Sequence, residues 1–453
     1  MLEALDSIRN ATIGTDFEGK LYLVGGIVRD EIMGIAENED ADVVIEGDAL
    51  ALAEFLYQKG VAKYSPVLFR RFGTAMVVVA DRQVELVSAR KETYDPESRK
   101  PVVEPATLLE DVLRRDFTIN TLLKNLHTGE ILDLTGQGRA DIAAKIIRTP
   151  LDPGKTFSED PLRMLRAIRF SARLGFQIAP ETYVAISENA HRIRIVSGER
   201  IRDEFIKLLM TKRTSQGLEM LRDTGLLERF APELVDMKDV EQNQFHLFDC
   251  WTHTMRTLDA LPESANLNLR LAALFHDVGK PLTITKDKLQ NVHFFNHQHI
   301  GADIAEKIMR NLRFSNDQIE VVRGLVELHL RPGSYNAEWS DSAIRRLMRD
   351  ANGLWDDLLA LSKADVAASN IEILNPDFAE LEARAAAIRS ELAVDRIASP
   401  LDGNEIMKLL DLPPGPRVKE IKEFLLNEVI EGRLHPDDKN SARALLAKKF
   451  GRK

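Results

Sequence analysis

Residues 21–48, LYLVGGIVRDEIMGIAENEDADVVIEGD, restrict the fold of this chain more than any other stretch. Leu21-Tyr22-Leu23-Val24 is apolar or aromatic throughout, the pattern of a buried strand. Gly25-Gly26 ends it and a helix-like run follows. Such a break suits a phosphate, because bare backbone lets a ligand approach and the first helical N–H groups face it. Arg29, one turn into the helix, would add a cation. Asp40 and Asp42 then lead into Val43-Val44-Ile45. Residues two apart on a strand share a face, so both carboxylates would point one way. Two acids side by side are costly without a cation between them, and oxygen ligands beside a phosphate site imply Mg²⁺. Taken singly, the glycines could be a turn and the aspartates surface charge. In this order they point to nucleotidyl transfer.

With 453 residues the chain has room for roughly three or four domains at about 100–200 residues each. No apolar run approaches membrane-spanning length, so no membrane contact is expected. The N-terminus, MLEALDSIRNATIG, has early acids and no signal-peptide core. A lone Cys250 excludes an internal disulfide and a multi-cysteine zinc site, and a cytoplasmic protein is expected. The net charge of −10 argues against a surface that coats nucleic acid uniformly. Local charge can still bind RNA: from Asp160 to Arg213 there are eleven Lys and Arg against six Asp and Glu. A solvated helical face would look the same.

Further along, Ala49–Lys59 has a helical pattern, and 74–79 and 83–87 have strand patterns. Glu85 interrupts apolar neighbours, so it is either at an edge or liganding something. Beside the Asp40/Asp42 strand it would complete a three-carboxylate cluster. Lys91 to Pro105 has loop chemistry. Arg114-Arg115-Asp116 precedes an apolar run that suggests a helix, where the charges could grip a triphosphate and ribose or merely cap that helix. Pro150 to Gly154 punctuate a boundary. In EDPLRMLRAIRF (159–170), Asp160, Arg163, Arg166 and Arg169 recur every three residues, which predicts Asp160 and Arg163 on one helical face. A carboxylate accepting from an exocyclic amino group and a guanidinium donating to a ring nitrogen suit cytosine and adenine. Uracil and guanine present the opposite groups there.

Residues from about 21 to 215 resemble the head and neck of class II tRNA nucleotidyltransferases (CCA-adding enzymes) and the related bacterial poly(A) polymerases. The motifs are GGIVRD (25–30), DAD (40–42), RFGT (71–74), ARKETY (89–94), RRDFTIN (114–120), the Asp133–Gly138 turn, EDPLRMLRAIRF (159–170) and SGERIRDE (197–204). The resemblance implies catalytic Asp40 and Asp42 holding two Mg²⁺, with Glu85 where the family often has a third aspartate. It implies nucleotide contacts at Gly26, with Gly25 beside it, and at Arg29 and Arg115, and base selection by Asp160, Arg163, Arg166 and Arg169. The stretch after Tyr94 is similar to a flexible loop whose shortening accompanies enzymes that stop at CC, and here it looks full length.

Seven of the ten histidines lie between His246 and His329. His276-Asp277 ends an apolar helix and precedes Val278-Gly279-Lys280-Pro281, which resembles the HD phosphohydrolase superfamily. That resemblance implies a metal held by His253, His276, Asp277 and Asp365, with His297 and His329 for a second ion. The donors suit Mn, Fe, Ni, Co or Zn. HD modules joined to CCA-adding enzymes are associated with phosphatase or 2′,3′-cyclic phosphodiesterase activity. The basic end, ALLAKKFGRK, resembles a helical tail that reaches the tRNA elbow.

The expectation is a multidomain α/β plus α protein. A small mixed-sheet nucleotidyltransferase head (1–150) precedes a helical neck (151–235), an HD domain (236–376) and a helical tail (377–453). The expected reaction is template-independent addition of C, C and A to tRNA 3′ ends from CTP and ATP. The rivals are a poly(A) polymerase, a CC-adding enzyme, and an HD hydrolase whose head only binds RNA.

Overall fold

The apolar runs of the N-terminal region become strands because they can be buried whole. Strand β1 (Leu21–Val24) is buried at all four positions, and β2 (Ala41–Ile45) at every position except Asp42. The computed structural model describes residues 1–35, 41–93, 102–243, 245–392 and 398–450. Asp40 and residues 94–101, both singled out above, lie outside them. The chain divides into two units, Met1–Phe230 and Ala231–Lys453.

In the first unit, β1 and β2 join β3 (Val67–Phe69), β4 (Thr74–Val79) and β5 (Arg82–Ser88). The hairpin of β6 (Arg90–Thr93) and β7 (Val102–Pro105) stands apart, and β8 (Leu123–Asn125) and β9 (Ile131–Leu132) complete the main sheet. Its order is β3-β4-β5-β2-β1-β8-β9. Only β2 and β5 are parallel neighbours, which makes the sheet mixed. Glu85 is therefore not at an edge: its strand lies between β4 and β2. Where loop chemistry was expected over 91–105, the described residues at either side pair as β6 and β7.

Helix α1 (Gly26–Ile32) starts at the glycine pair, and α2 (Leu108–Leu113) is closed by a capping box between Thr107 and Glu110. After RRD no apolar helix forms. A single 3₁₀ turn, Thr118–Asn120, leads into β8. The cause is local, because the Thr121 hydroxyl donates to the Thr118 carbonyl (2.7 Å) and competes with helical bonding. In the neck, α3 (Leu162–Leu174) packs on α4 (Gly198–Leu209).

The second unit is helical apart from a short hairpin, Ile284–Lys286 with Val292–Phe294. Helices α5 (Cys250–Asp259), α6 (Leu267–Phe275), α7 (His297–Asn311), α8 (Asn316–Leu328) and α9 (Trp355–Ala368) enclose a core that includes Trp251, Leu271, Leu274 and Leu325. Three later helices, Gly403–Leu410, Pro416–Ile430 and Lys439–Phe450, form a separate core around Ile406, Ile421, Leu425 and Leu446. Among the described residues, no helix is long and apolar enough to cross a membrane.

Candidate functional site

Register brings the head acids together. Asp42 stands opposite Val24 of β1 on one side and Glu85 of β5 on the other. Burying Val43, Val44 and Ile45 stabilises β2 by about 1.5–3 kcal/mol each, enough to hold an acid in an unfavourable place. Two like charges ~5 Å apart at an effective dielectric of about 20 repel by roughly 3 kcal/mol, and less where water reaches them. Loss of surrounding water, followed by the charge of Asp42, holds the Glu85 carboxyl above its usual range against the pull of Arg90. A hard divalent cation would relieve that repulsion, so this pair fits Mg²⁺. Gly25 (φ 81°) lies in the left-handed region, and a Cβ there would come within 4.0 Å of Asp42 Oδ2. The positive φ, and not a lack of room beside the carboxylate, is what calls for glycine at this turn.

In the same unit a cleft of about 630 Å³ is lined by Gly25, Gly26, Arg29, Asp42, Arg115, Asp160, Arg163, Arg166 and Arg169, together with Phe72, Arg90, Arg173 and Arg200. The glycine turn, one of the acids expected to be catalytic and every expected nucleotide contact therefore share one cavity. Several arginines are braced by protein. Arg29 is buried and donates to Asp30 Oδ1 and Asn120 Oδ1, both at 2.7 Å. Arg115 pairs with Asp111 (2.8 Å), Arg166 with Asp116 (2.6 Å), and Arg169 with Glu204 (2.5 Å). Burial would raise the Asp116 carboxyl, but Arg166 and Asn120 outweigh it and hold it at about 2. Asp116 and Glu204 were not assigned this bracing role from sequence. A carboxylate directly after two arginines in an otherwise apolar run was the available signal for Asp116.

One expectation fails. Asp160 and Arg163 do not share a helical face: the preceding helix ends at Glu159, α3 begins at Leu162, and Asp160 is extended (φ −132°, ψ 95°). Pro161 is the reason, since proline disfavours helical backbone in the residue before it. Asp160 still meets the cleft, where its Oδ1 accepts from the Leu162 amide, while Arg163 Nη2 donates to the Arg114 carbonyl (2.7 Å).

In the second unit the six residues expected at the HD site converge. His253 Nε2 lies 3.0 Å from Asp365 Oδ1 and 3.2 Å from His276 Nε2. Asp277 faces two ways: Oδ2 is 3.2 Å from His276 Nε2, and Oδ1 is 3.3 Å from His297 Nε2 and 3.8 Å from His329 Nε2. The other ring nitrogens meet backbone carbonyls. Nδ1 of His276, His297 and His329 reaches Ala273, Phe294 and Val326 at 2.8, 2.8 and 2.7 Å, and His253 Nδ1 lies 3.4 Å from Ala368 O. A carbonyl only accepts, so Nδ1 carries the proton and the Nε2 lone pairs point inward. The Nε2 atoms of His297 and His329 are buried without a hydrogen-bond partner among the described residues. Burial, followed by the neighbouring imidazoles His276 and His297, pushes His329 down to about 3 and keeps it neutral. Imidazole and carboxylate donors with inward lone pairs fit one or two divalent transition-metal ions. Sequence reasoning missed Gln242, which with His246 and Asp277 surrounds the buried Lys280 ammonium. Nothing local in the chain marks Gln242.

Residues 21–148 match the poly A polymerase head domain, 175–237 the probable RNA and SrmB-binding site of polymerase A, and 246–367 the HD domain. The chain is 32% identical over 436 residues to the CC-adding tRNA nucleotidyltransferase of Thermus thermophilus, spanning 94% of this chain and 92% of that one. It is 31% identical over 422 residues to the A-adding tRNA nucleotidyltransferase of Deinococcus radiodurans, spanning 89% and 90%. Among solved structures, the Bacillus stearothermophilus CCA-adding enzyme in complex with CTP aligns with a TM-score of 0.70 at 23% identity, spanning 99% of this chain and 97% of that one. At that identity the likeness speaks for the fold.

Proposed function

The chain belongs to the tRNA nucleotidyltransferase and poly(A) polymerase family, and from that membership we propose that it adds C, C and A to tRNA 3′ ends from CTP and ATP. The observation that carries the reading is a single cleft holding the glycine turn, Asp42 and the Asp160/Arg163 pair. In the proposed step the tRNA 3′-hydroxyl loses its proton to water, its oxygen bonds to the α-phosphorus, and the bond from that phosphorus to the bridging oxygen of the β-phosphate breaks, releasing pyrophosphate. Asp42 and Glu85, with Asp40, would hold Mg²⁺, which when bound supplies a more acidic 3′-hydroxyl and countercharge for the leaving pyrophosphate. Gly25-Gly26 and Arg115 would seat the triphosphate. Asp160 and Arg163 would choose the base, with Arg166 and Arg169 supporting them. Arg29, tied to Asp30 and Asn120, would shape the turn. The proposed division of labour is a catalytic head (1–150), a base-selecting neck (151–235), an HD domain (236–376) and a tail (377–453) that meets tRNA in the cytoplasm. RNA shape rather than base sequence would select the substrate.

The deciding experiment supplies a tRNA transcript lacking its CCA end with CTP and ATP and measures product length. Three added residues are expected. The named relatives add CC or A alone. Two cytidines, one adenosine on a transcript ending in CC, or a long A tract would each replace the CCA assignment. No extension of either transcript would leave the head as a binding module.

For the HD domain we propose that His253, His276, Asp277 and Asp365 hold a divalent transition metal, with His297 and His329 serving a second. The site would hydrolyse phosphoesters at damaged RNA 3′ ends: a water oxygen bonds to phosphorus, the P–O bond to ribose breaks, and the released oxygen takes the proton. The inward-facing, unpartnered Nε2 atoms support metal binding. Elemental analysis finding no transition metal in the purified protein, together with inactivity on phosphomonoester and cyclic-phosphate ends, would reduce the domain to a scaffold.

A further inference from the structure

The cavity over the HD cluster is larger and less polar than a phosphoryl group requires. Its volume is about 310 Å³, within the range of sites that enclose small molecules. Its lining includes the polar Asp277, His297 and Asp365 and the apolar Phe245, Phe294, Leu330 and Leu374. Phe245 and Leu330 remain 38% and 42% exposed, so apolar surface is left wet at the mouth of a metal-ligand cluster. Lys280, a buried ammonium in the cavity wall, is engaged by protein groups. Its three N–H groups are directed at Asp277 Oδ2 (2.6 Å), Gln242 Oε1 (2.6 Å) and His246 Nε2 (3.3 Å).

Phe245 is held in place rather than dangling. Its amide donates to Asn243 Oδ1 (3.2 Å), and its carbonyl accepts from the Asn370 amide (2.8 Å), just beyond the helix that carries Asp365. The next residue, His246, packs edge-on against the ligand His253 with ring centroids 4.6 Å apart. A partly exposed aromatic side chain that lines the pocket, on a backbone tied to the frame of the ligand cluster, is suited to a flat, apolar-faced group. Nucleobases have that character, and stacking on an aromatic side chain tolerates any base.

We propose that this pocket binds a nucleoside phosphoester with its base included, and that Phe245 is the residue that selects base-bearing substrates over base-free ones. The proposal rests on the HD hydrolase reading above and adds to it the part of the substrate that the cluster itself does not touch. A free mononucleotide and the last nucleotide of an RNA present the same chemistry.

The test uses the full-length protein loaded with Mn²⁺ and three substrates: adenosine 3′-phosphate, a short RNA ending in a 3′-phosphate, and glycerol 2-phosphate. We expect kcat/KM for both base-bearing substrates to exceed that for glycerol phosphate by about tenfold or more. In Phe245→Ala the ratio should collapse towards one, mainly through KM, and Phe245→Trp should restore it with unchanged metal content. An advantage of the RNA over the mononucleotide would identify an RNA end as the source, and equal rates would identify the terminal nucleotide alone. Equal kcat/KM for all three substrates, or a Phe245→Ala variant that slows all three alike, would overturn the proposal. If nothing is hydrolysed, the hydrolase reading fails and calorimetry decides the binding claim. A preference for adenosine 3′-phosphate over glycerol phosphate that disappears in Phe245→Ala sustains it, and no such preference ends it.

Discussion

Asp42 is exposed on a strand whose other positions are buried, so changing its charge should cost chemistry and not fold. Asp42→Asn is expected to lower nucleotide addition by about a thousandfold or more while HD hydrolysis persists. Parallel primer-extension and phosphatase assays check this, and loss of both together would contradict separate sites. Asp116 behaves differently, because its carboxyl is held at about 2 by Arg166 against the opposing effect of burial. A depressed carboxyl stabilises the fold above its unfolded value, near 4, and that contribution fades as pH falls towards 2. The shift corresponds to about 2 kcal/mol. Urea midpoints should therefore show wild type ahead of Asp116→Asn at pH 5, with the gap narrowing by pH 3. Asp42 was legible because strand alternation and charge cost act within a few residues. The partnerships of Asp116 with Arg166, and of Glu204 with Arg169, were not, because they join residues 50 and 35 positions apart that only packing brings together.

Elements whose signal lay in hydrophobic periodicity were legible, among them β2, β4, β5 and the helix ending at His276. Where a proline or a side-chain-to-backbone bond opposed the periodic pattern, the expectation failed, as at Asp160 and at the 3₁₀ turn after Asp116. The pairing of β2 with β5, which sets Glu85 beside Asp42, is a tertiary fact that no spacing rule supplies. Close approach between elements gives a sharper test. A Cβ on Gly279 would lie 2.2 Å from the His297 carbonyl oxygen and 2.6 Å from the Gly301 amide, both backbone atoms of α7. Gly279→Ala must then push α7 and its ligand His297 outwards. We expect a loss of about 3 kcal/mol and of bound metal, read by thermal unfolding and elemental analysis. Gly301→Ala, whose nearest neighbour would be at 3.3 Å, should be milder on both counts.

The head acids and the HD cluster belong to different compact units, so their chemistries should separate by mutation. His276→Ala is expected to abolish metal binding and hydrolysis in the HD domain and to leave tRNA extension within about twofold of wild type. The assay is initial-rate primer extension on the same preparation whose metal content is measured. The two compact units divide between Phe230 and Ala231, and the neck was expected to end at 235, the last residue of the short helix Pro232–Val235. Three imidazoles at the HD site are each moored to a carbonyl three residues earlier in the chain. The backbone thus sets the ring orientations in this socket. Chelation should empty it without melting the domain, and refilling with a different divalent ion should need no refolding. Such a protein would follow the changing supply of metals around it, and its occupant would record its surroundings as much as its design.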